Sequence, residues 1–245
     1  MKSDVHTPDL GATRTPSYHK TVEVYVRKLR RLGNFSKSGR MLDAGCGDGT
    51  FTMILGQWAS EVHAIDVQED YLARFRERLL NEEKFILSNM SASAMAYPNN
   101  YFDRVVTIET LEHVPDLAGA ASEICRVLKP GGELLVTVPN RWFPCENHGM
   151  RIGSKRVYGR VPLLPYLPWL HHRLSLARVF TVRDLDSLFV TRGLKRTAVD
   201  YIWPTFEHGG NYFQPYLKPL FGLMRVMEDS ILKMFGTSVM VRYVK

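Results

Sequence analysis

The sequence predicts an α/β fold built on a doubly wound, mainly parallel sheet, and three observations lead there. Short apolar runs alternate with helical stretches from Met41 onward, a glycine cluster follows the first run directly, and Asp66 closes the second run 23 residues after Asp43. Strand–helix alternation at short intervals specifies parallel neighbours with helices on both faces, because a parallel pair needs a crossover connection. A chain of 245 residues with 45% hydrophobic and 23% charged residues has room for one such domain, residues 1–245, with insertions, and two full domains would be cramped.

The elements follow in order. From Tyr18 to Leu32, the residues Val22, Tyr25, Val26 and Leu29 recur at helical spacing among Lys and Arg, so residues 1–33 are expected to form a basic helical cover over the ligand edge of the sheet. Met41 to Ala44 reads as strand one and Phe51 to Trp58 as a helix. Glu61 to Ile65 is strand two, Tyr71 to Leu80 a helix and Lys84 to Ser88 strand three. Phe102 to Ile108 is strand four, Leu117 to Leu128 a helix, and Lys129-Pro130-Gly131-Gly132 a tight turn into strand five, Glu133 to Val138. Thr181 has the character of an N-cap for a helix to Thr191, and strands Lys195 to Ile202 and Ser238 to Val244 complete the sheet. Residues 141–180 and 203–236 fall outside this rhythm and are expected to be cap insertions. In the second, Leu217, Leu220, Phe221, Met224, Met227, Ile231 and Met234 mark a helical stripe best explained by core packing.

Composition excludes several classes. The apolar stretch Val161 to Leu170 is about half a membrane span and holds Pro162, Pro165 and Pro168. No basic start with an apolar core marks a secretory signal at the N-terminus, so the expected location is cytoplasmic. Cys46, Cys125 and Cys145 lie far apart without a C-x-x-C pair, which argues for free buried thiols rather than a disulfide framework or a zinc site. The net charge is +7, and much of it is local: Arg141, Arg151, Lys155, Arg156, Arg160, Arg173 and Arg178 stand against Glu146 alone.

Asp43-Ala44-Gly45-Cys46-Gly47-Asp48-Gly49 places alternate glycines at the carboxyl end of strand one, where doubly wound sheets bind ligands. Glycine lets the backbone turn tightly and approach a ligand, and the next helix offers unpaired N–H groups to a carboxylate. S-adenosylmethionine brings such a carboxylate, with an ammonium that Asp43 could offset. Asp66 is placed to accept hydrogen bonds from both ribose hydroxyls. A nicotinamide fingerprint asks for G-x-G-x-x-G or A, whereas Thr50 occupies the sixth position here. A nucleotide-dependent oxidoreductase and a glycine turn without a ligand are the alternatives at this point.

The motifs Leu42-Asp43-Ala44-Gly45-Cys46-Gly47-Asp48-Gly49, Asp66, Tyr101-Phe102-Asp103, Glu109-Thr110-Leu111-Glu112-His113-Val114-Pro115-Asp116 and Leu128-Lys129-Pro130-Gly131-Gly132 occur in that order. Through them the chain resembles the class I S-adenosylmethionine-dependent methyltransferases, within them the ubiquinone and menaquinone methyltransferase-like group, over about Arg40 to Asn140. The resemblance implies a Rossmann-like seven-stranded sheet of order 3-2-1-4-5-7-6 with the last strand antiparallel, and S-adenosylmethionine as cofactor. The residues it places at the cofactor are Asp43, Gly45, Cys46, Gly47, Gly49, Asp66, Val67, Ser91, Ala92, Ile108 and Glu109. Ser91-Ala92 departs from the pattern, since relatives usually carry an acidic residue there for the adenine amino group. In related ubiquinone O-methyltransferases an E-x-x-E-H arrangement holds a divalent metal such as Mg; Glu109, Glu112 and His113 match it, and the alternative is that Glu112 and His113 only orient the loop and cap the next helix.

Methyl transfer is an in-line displacement in which positioning supplies much of the rate, and a hydroxyl acceptor gains from a general base. His113 and His148 are the candidate catalytic histidines; His148 in the loop Asn140 to Gly149 is equally readable as a surface residue without a role. His171 and His172, beside Arg173, are read as part of a basic surface. The basic residues of 141–180 alternate with Trp142, Phe143, Tyr158, Tyr166, Trp169 and Phe180. That mixture suits an anionic small molecule or lipid-linked acceptor, or peripheral contact with a membrane; nucleic acid is disfavoured because no RNA-binding module is recognisable. A cofactor-binding or membrane-surface module without turnover is the non-enzymatic alternative.

Overall fold

The computed structural model describes residues 16–35, 39–79, 83–146, 148–157, 161–203 and 230–245. Residues 1–15 of the expected N-terminal cover, Asn147, Tyr158, Arg160 and the stripe Leu217, Leu220, Phe221, Met224 and Met227 lie outside them.

Seven strands form the central sheet: β1 (Arg40–Ala44), β2 (Glu61–Asp66), β3 (Phe85–Asn89), β4 (Phe102–Ile108), β5 (Leu128–Pro139), β10 (Lys195–Ile202) and β11 (Ser238–Val244), in the spatial order β3-β2-β1-β4-β5-β11-β10. Counted within this sheet the order is 3-2-1-4-5-7-6. The strand β11 runs antiparallel to both of its neighbours, while β1 to β5 pair in parallel.

The sheet is buried on both faces, as the apolar character of its central strands requires. Successive side chains point to opposite sides. Leu42, Ala44, Val105, Leu134 and Val136 therefore join one core with helices α4 (Leu117–Val127) and α6 (Val182–Phe189). Met41, Val62, Val106 and Leu135 join the other, with α1 (Pro16–Leu32), α2 (Thr50–Leu55) and α3 (Glu69–Arg78). The helix α1 buries Val22, Tyr25, Val26 and Leu29, the stripe read from the sequence, and its Lys28 ammonium donates to the Tyr201 carbonyl at 2.8 Å.

Two local expectations need correction. Lys129 to Gly132 does not precede the strand but lies within β5 as a bulge, with Gly131 at φ +75° and the register on β4 shifting between Leu128 and Glu133; it is held by the chain's last residue through Gly131 N to Lys245 O (2.8 Å) and Lys245 N to Gly132 O (3.1 Å). The helix after β1 is shorter than expected, since α2 gives way after Leu55 to a 3₁₀ turn over Gly56–Trp58.

Residues 141–180 make a closed excursion. The chain leaves β5 at Asn140 and returns at Phe180, and the two ends are stitched together by Arg141 N to Phe180 O and Phe180 N to Pro139 O, both 2.9 Å. Between them lie two small antiparallel pairs, β6 (Cys145–Glu146) with β9 (Val161–Pro162) and β7 (Met150–Ile152) with β8 (Lys155–Val157), and then α5 (Pro168–Leu174). The excursion is held by a buried carboxylate. Glu146, 1% exposed, accepts hydrogen bonds from the His148 backbone N–H (2.6 Å) and the Ser175 hydroxyl (3.1 Å), and lies 2.5 Å from His171 Nε2. Burial raises the Glu146 carboxyl, but the His148 and His171 rings and the His148 backbone N–H outweigh it and hold the group far below the usual carboxylate range. His171 is thus buried structure and not basic surface.

Helix α6 re-enters the domain through a reciprocal cap: Thr181 Oγ1 accepts from Asp184 N, and the Asp184 carboxylate accepts from Thr181 N. Replacing Thr181 with Ala should destabilise the protein by about 1 kcal/mol, read from the midpoint of urea unfolding.

Candidate functional site

The carboxyl ends of β1, β2, β3 and β4 open on one cavity of about 580 Å³. Its lining takes in Asp43, Gly45, Cys46, Gly47, Asp66, Val67, Ser91, Ala92, Ile108 and Glu109 from the residues expected at a cofactor, together with Tyr71, Met90, Thr110 and His113. Gly49 is not in the lining. It sits behind the bend with φ +76°, and a Cβ there would come within 2.2 Å of the Phe75 ring.

The bend is fixed from inside. Gly45 N and Cys46 N both donate to the Ile65 carbonyl, at 2.9 and 3.0 Å, and Gly45 has φ +90° with no space for a side chain, since a Cβ would lie 2.1 Å from Thr110 Cγ2. Gly47 is the opposite case, with φ +53° and nothing within 4 Å of its Cβ position, so its backbone borders open space. The helix start is less available to a ligand than expected, because the Asp48 carboxylate already accepts from Thr50 N (3.3 Å) and Thr50 Oγ1 (2.8 Å) and pairs with Arg78.

Asp66 accepts from Gly47 N and Gln68 N, both at 2.9 Å, which orients its carboxylate and leaves lone pairs for a ligand. Asp43 is 2% exposed; its Oδ2 accepts from Thr52 Oγ1 at 2.6 Å, while its Oδ1 is buried without a partner. Burial pushes the Asp43 carboxyl up to about 7, against the hydrogen bond from Thr52.

Beyond β4 the chain holds Glu109 at φ +49°, in the left-handed region that a residue with a Cβ rarely adopts. Its backbone N–H donates to the Thr137 carbonyl (3.0 Å), and Tyr25 reaches over from α1 to donate to Oε1 at 3.3 Å while its hydroxyl pairs with Ser238 at 2.9 Å. Among the described residues, Glu109, Glu112 and His148 offer ligand atoms that all lie within 4.8 Å of one another. The expected set was Glu109, Glu112 and His113. His113 Nε2 stays 3.9 Å from Glu112 Oε1 with its side chain 55% exposed, and the excursion supplies His148 in its place. Capping of the next helix falls to Asp116, whose carboxylate accepts from Gly119 N, so neither Glu112 nor His113 has that role.

Electrostatics at this cluster are unfavourable for two free carboxylates. Burial raises Glu109, and burial together with the charge of Glu109 raises Glu112 well above the carboxylate range. Both Glu112 oxygens are buried without a hydrogen-bond partner. Burial and the neighbouring His148 lower the pKa of His113. Two oxygens and an imidazole nitrogen so arranged suit a divalent cation, whose charge would relieve both shifts.

A second cavity, about 490 Å³, lies between the excursion and the domain and is lined by Glu112, His113, Arg141, His172, Arg178 and Asp184 among others. His113 borders both cavities. Tyr25 and Ser238 were not legible as site residues, and Glu146 was legible only as part of the loop Asn140 to Gly149 expected to meet the acceptor; the readable trace of Tyr25 was a hydroxyl on the apolar stripe of α1. Of the thiols, Cys46 and Cys125 are buried and free, whereas Cys145 is only half-buried.

Residues 42–136 match the family model described as a methyltransferase domain. Phosphoethanolamine N-methyltransferase 2 of Caenorhabditis elegans is 33% identical over 121 residues, 48% of this chain and 28% of that protein. A ubiquinone biosynthesis O-methyltransferase of Proteus mirabilis is 29% identical over 145 residues, 56% of each chain. The chain thus spans less than two thirds of these curated relatives. A solved S-adenosylmethionine-dependent methyltransferase from Mesorhizobium loti shares the fold with a TM-score of 0.63 at 20% identity, over 91% of this chain and 98% of that one. Residues 42–136 thus match the methyltransferase-domain family, and the sheet has the Rossmann-like fold of solved S-adenosylmethionine-dependent methyltransferases.

The two inner glycines should respond differently to a methyl group. Gly45→Ala meets both left-handed strain and Thr110 and should lose about 2–4 kcal/mol in urea unfolding, whereas Gly47→Ala meets strain alone and should lose about 1–2 kcal/mol.

Proposed function

We propose that this chain transfers the methyl group of S-adenosylmethionine to an oxygen of a small or lipid-linked acceptor held between the domain and the 141–180 excursion. The observation that carries the reading is the meeting of two cavities at one cluster: His113 borders both, Glu109 lines the first, Glu112 the second, and His148 joins the carboxylates.

The first cavity fits the donor. Open space over Gly47 suits its carboxylate, the unpartnered Asp43 Oδ1 its ammonium, and the oriented Asp66 carboxylate its ribose. Val67 and Tyr71 are exposed at 64% and 37%, and with Met90 they offer an apolar border to a purine ring, with Ser91 as the nearby polar group. The donor supplies an electrophilic methyl on a sulfonium; the chain's own work is to hold the acceptor in line and to take its proton. His148 is the candidate base. Glu146 grips its backbone N–H and lies 3.3 Å from Nδ1, fixing the ring. The alternative is a divalent metal such as Mg on Glu109, Glu112 and His148, which would lower the acceptor's pKa and make His148 a ligand in place of the base. Peripheral membrane contact is supported by Leu163, Leu167 and Trp169, exposed at 59%, 45% and 70%; no helix among the described residues is long and apolar enough to cross a membrane.

Calorimetry with S-adenosylhomocysteine and with NAD tests the donor. Binding of the former alone is expected; NAD binding alone would favour an oxidoreductase. Asp66→Ala should weaken S-adenosylhomocysteine by about 1.5–3 kcal/mol.

Asp43 gives the binding a pH dependence. Its folded pKa is raised above the unfolded value, so the native protein retains a proton between about pH 4 and 7 and loses that contribution to stability as pH rises through 7. An ammonium beside Asp43 favours the ionised form, so S-adenosylhomocysteine should bind with proton release at pH 6, its affinity rising towards pH 8. Titrations in buffers of different ionisation enthalpy read this directly.

A panel of hydroxyl acceptors with labelled donor tests turnover. His148→Ala should lower transfer by about 10²–10⁴-fold while S-adenosylhomocysteine affinity stays within twofold; no transfer by the unaltered protein to any acceptor would favour a binding module.

A further inference from the structure

The second cavity carries an imbalance of charge that methyl transfer itself does not require. Two carboxylates border it. Asp184 is committed to the α6 cap, accepting from Thr181 N at 2.7 Å and Thr181 Oγ1 at 2.9 Å, and Glu112 belongs to the cluster with Glu109 and His148. His113 and His171 border it beside their carboxylates Glu112 and Glu146, and three further basic side chains do so as well: Arg141, His172 and Arg178. None of these last three makes an ion pair among the described residues. The Arg178 guanidinium donates to the carbonyls of Val114 and Pro115, which positions it without neutralising it.

Arg141 is the more telling residue. Its backbone is pinned at the root of the excursion by the bond to Phe180 O, and its Nε is buried with no hydrogen-bond partner. A buried guanidinium N–H without an acceptor is costly, and guanidinium groups pair with oxyanions through parallel N–H···O bonds. Two guanidinium groups in the lining, with an imidazole as a further donor, suit a phosphate monoester better than a single carboxylate.

We propose that Arg141, seconded by Arg178 and His172, anchors a phosphate monoester on the methyl acceptor. The inference rests on the reading of the second cavity as the acceptor's. It narrows that acceptor to a phosphorylated molecule, soluble or borne on a lipid, with its methylated atom at the Glu109–Glu112–His148 cluster.

The test titrates the full chain, with and without S-adenosylhomocysteine, with inorganic phosphate. Saturable binding is expected, weakened at least tenfold in Arg141→Gln, partly recovered in Arg141→Lys, and unchanged in Arg151→Gln, an exposed arginine outside the cavity lining. An unaltered melting temperature in Arg141→Gln certifies its fold, and Arg178→Gln serves as a second variant if that fails. Competition with glycerol 3-phosphate and with vesicles containing phosphatidic acid separates the two sources; displacement by either supports the proposal. No binding of phosphate, equal loss in Arg151→Gln, or binding that neither ester displaces would overturn it. S-adenosylhomocysteine binding is read separately, so a phosphate failure beside an intact donor site sinks this inference alone, and a donor failure leaves the phosphate result standing.

Discussion

The site depends on one piece of backbone geometry, the bend that β1 makes on leaving the sheet. Two successive amides, Gly45 N and Cys46 N, share the Ile65 carbonyl, and a third, Gly47 N, donates to the carboxylate of Asp66. The neighbouring strand therefore shapes the loop and also presents the acidic group beside it. Positive φ at Gly45, Gly47 and Gly49 makes this possible, and the absence of side chains leaves the cavity open at Gly47 while Thr110 and Phe75 fill the space at the other two. A Cβ at Gly45 would disturb packing and the ligand surface together.

Much of the fold was legible for a simple reason. Strands buried on both faces give apolar runs, helices packed on one face give stripes, and both patterns survive in the amino-acid order. The bounds of β10 and β11 came out as read, and the strand order followed from the family resemblance. What misled was local. Lys129-Pro130-Gly131-Gly132 has turn chemistry, yet it pairs with Lys245 at the far end of the chain, a contact invisible to any window of sequence. Gly49 belongs to the glycine motif, but it faces Phe75 and not the cavity.

The acidic cluster shows the same limit at the site. Glu109 and Glu112 are three apart and their proximity could be read from spacing. His113 is adjacent in sequence and was the natural third member, but the 3₁₀ turn over Leu111–His113 leaves it largely exposed, and the ring that meets the two carboxylates is that of His148 in the excursion. Glu146 explains how a loop without a sizeable apolar core can deliver that ring reliably. Its carboxylate gathers His148, His171 and Ser175, so the sole acidic residue of a basic segment is its structural centre.

A crystal structure of the chain with S-adenosylhomocysteine bound examines the central claim most directly. The ribose hydroxyls are expected on Asp66, the amino-acid end over Gly47 and beside Asp43, and the sulfur turned towards the Glu109–Glu112–His148 cluster. A nucleoside seated elsewhere, or a cavity that admits NAD and excludes S-adenosylhomocysteine, would contradict it.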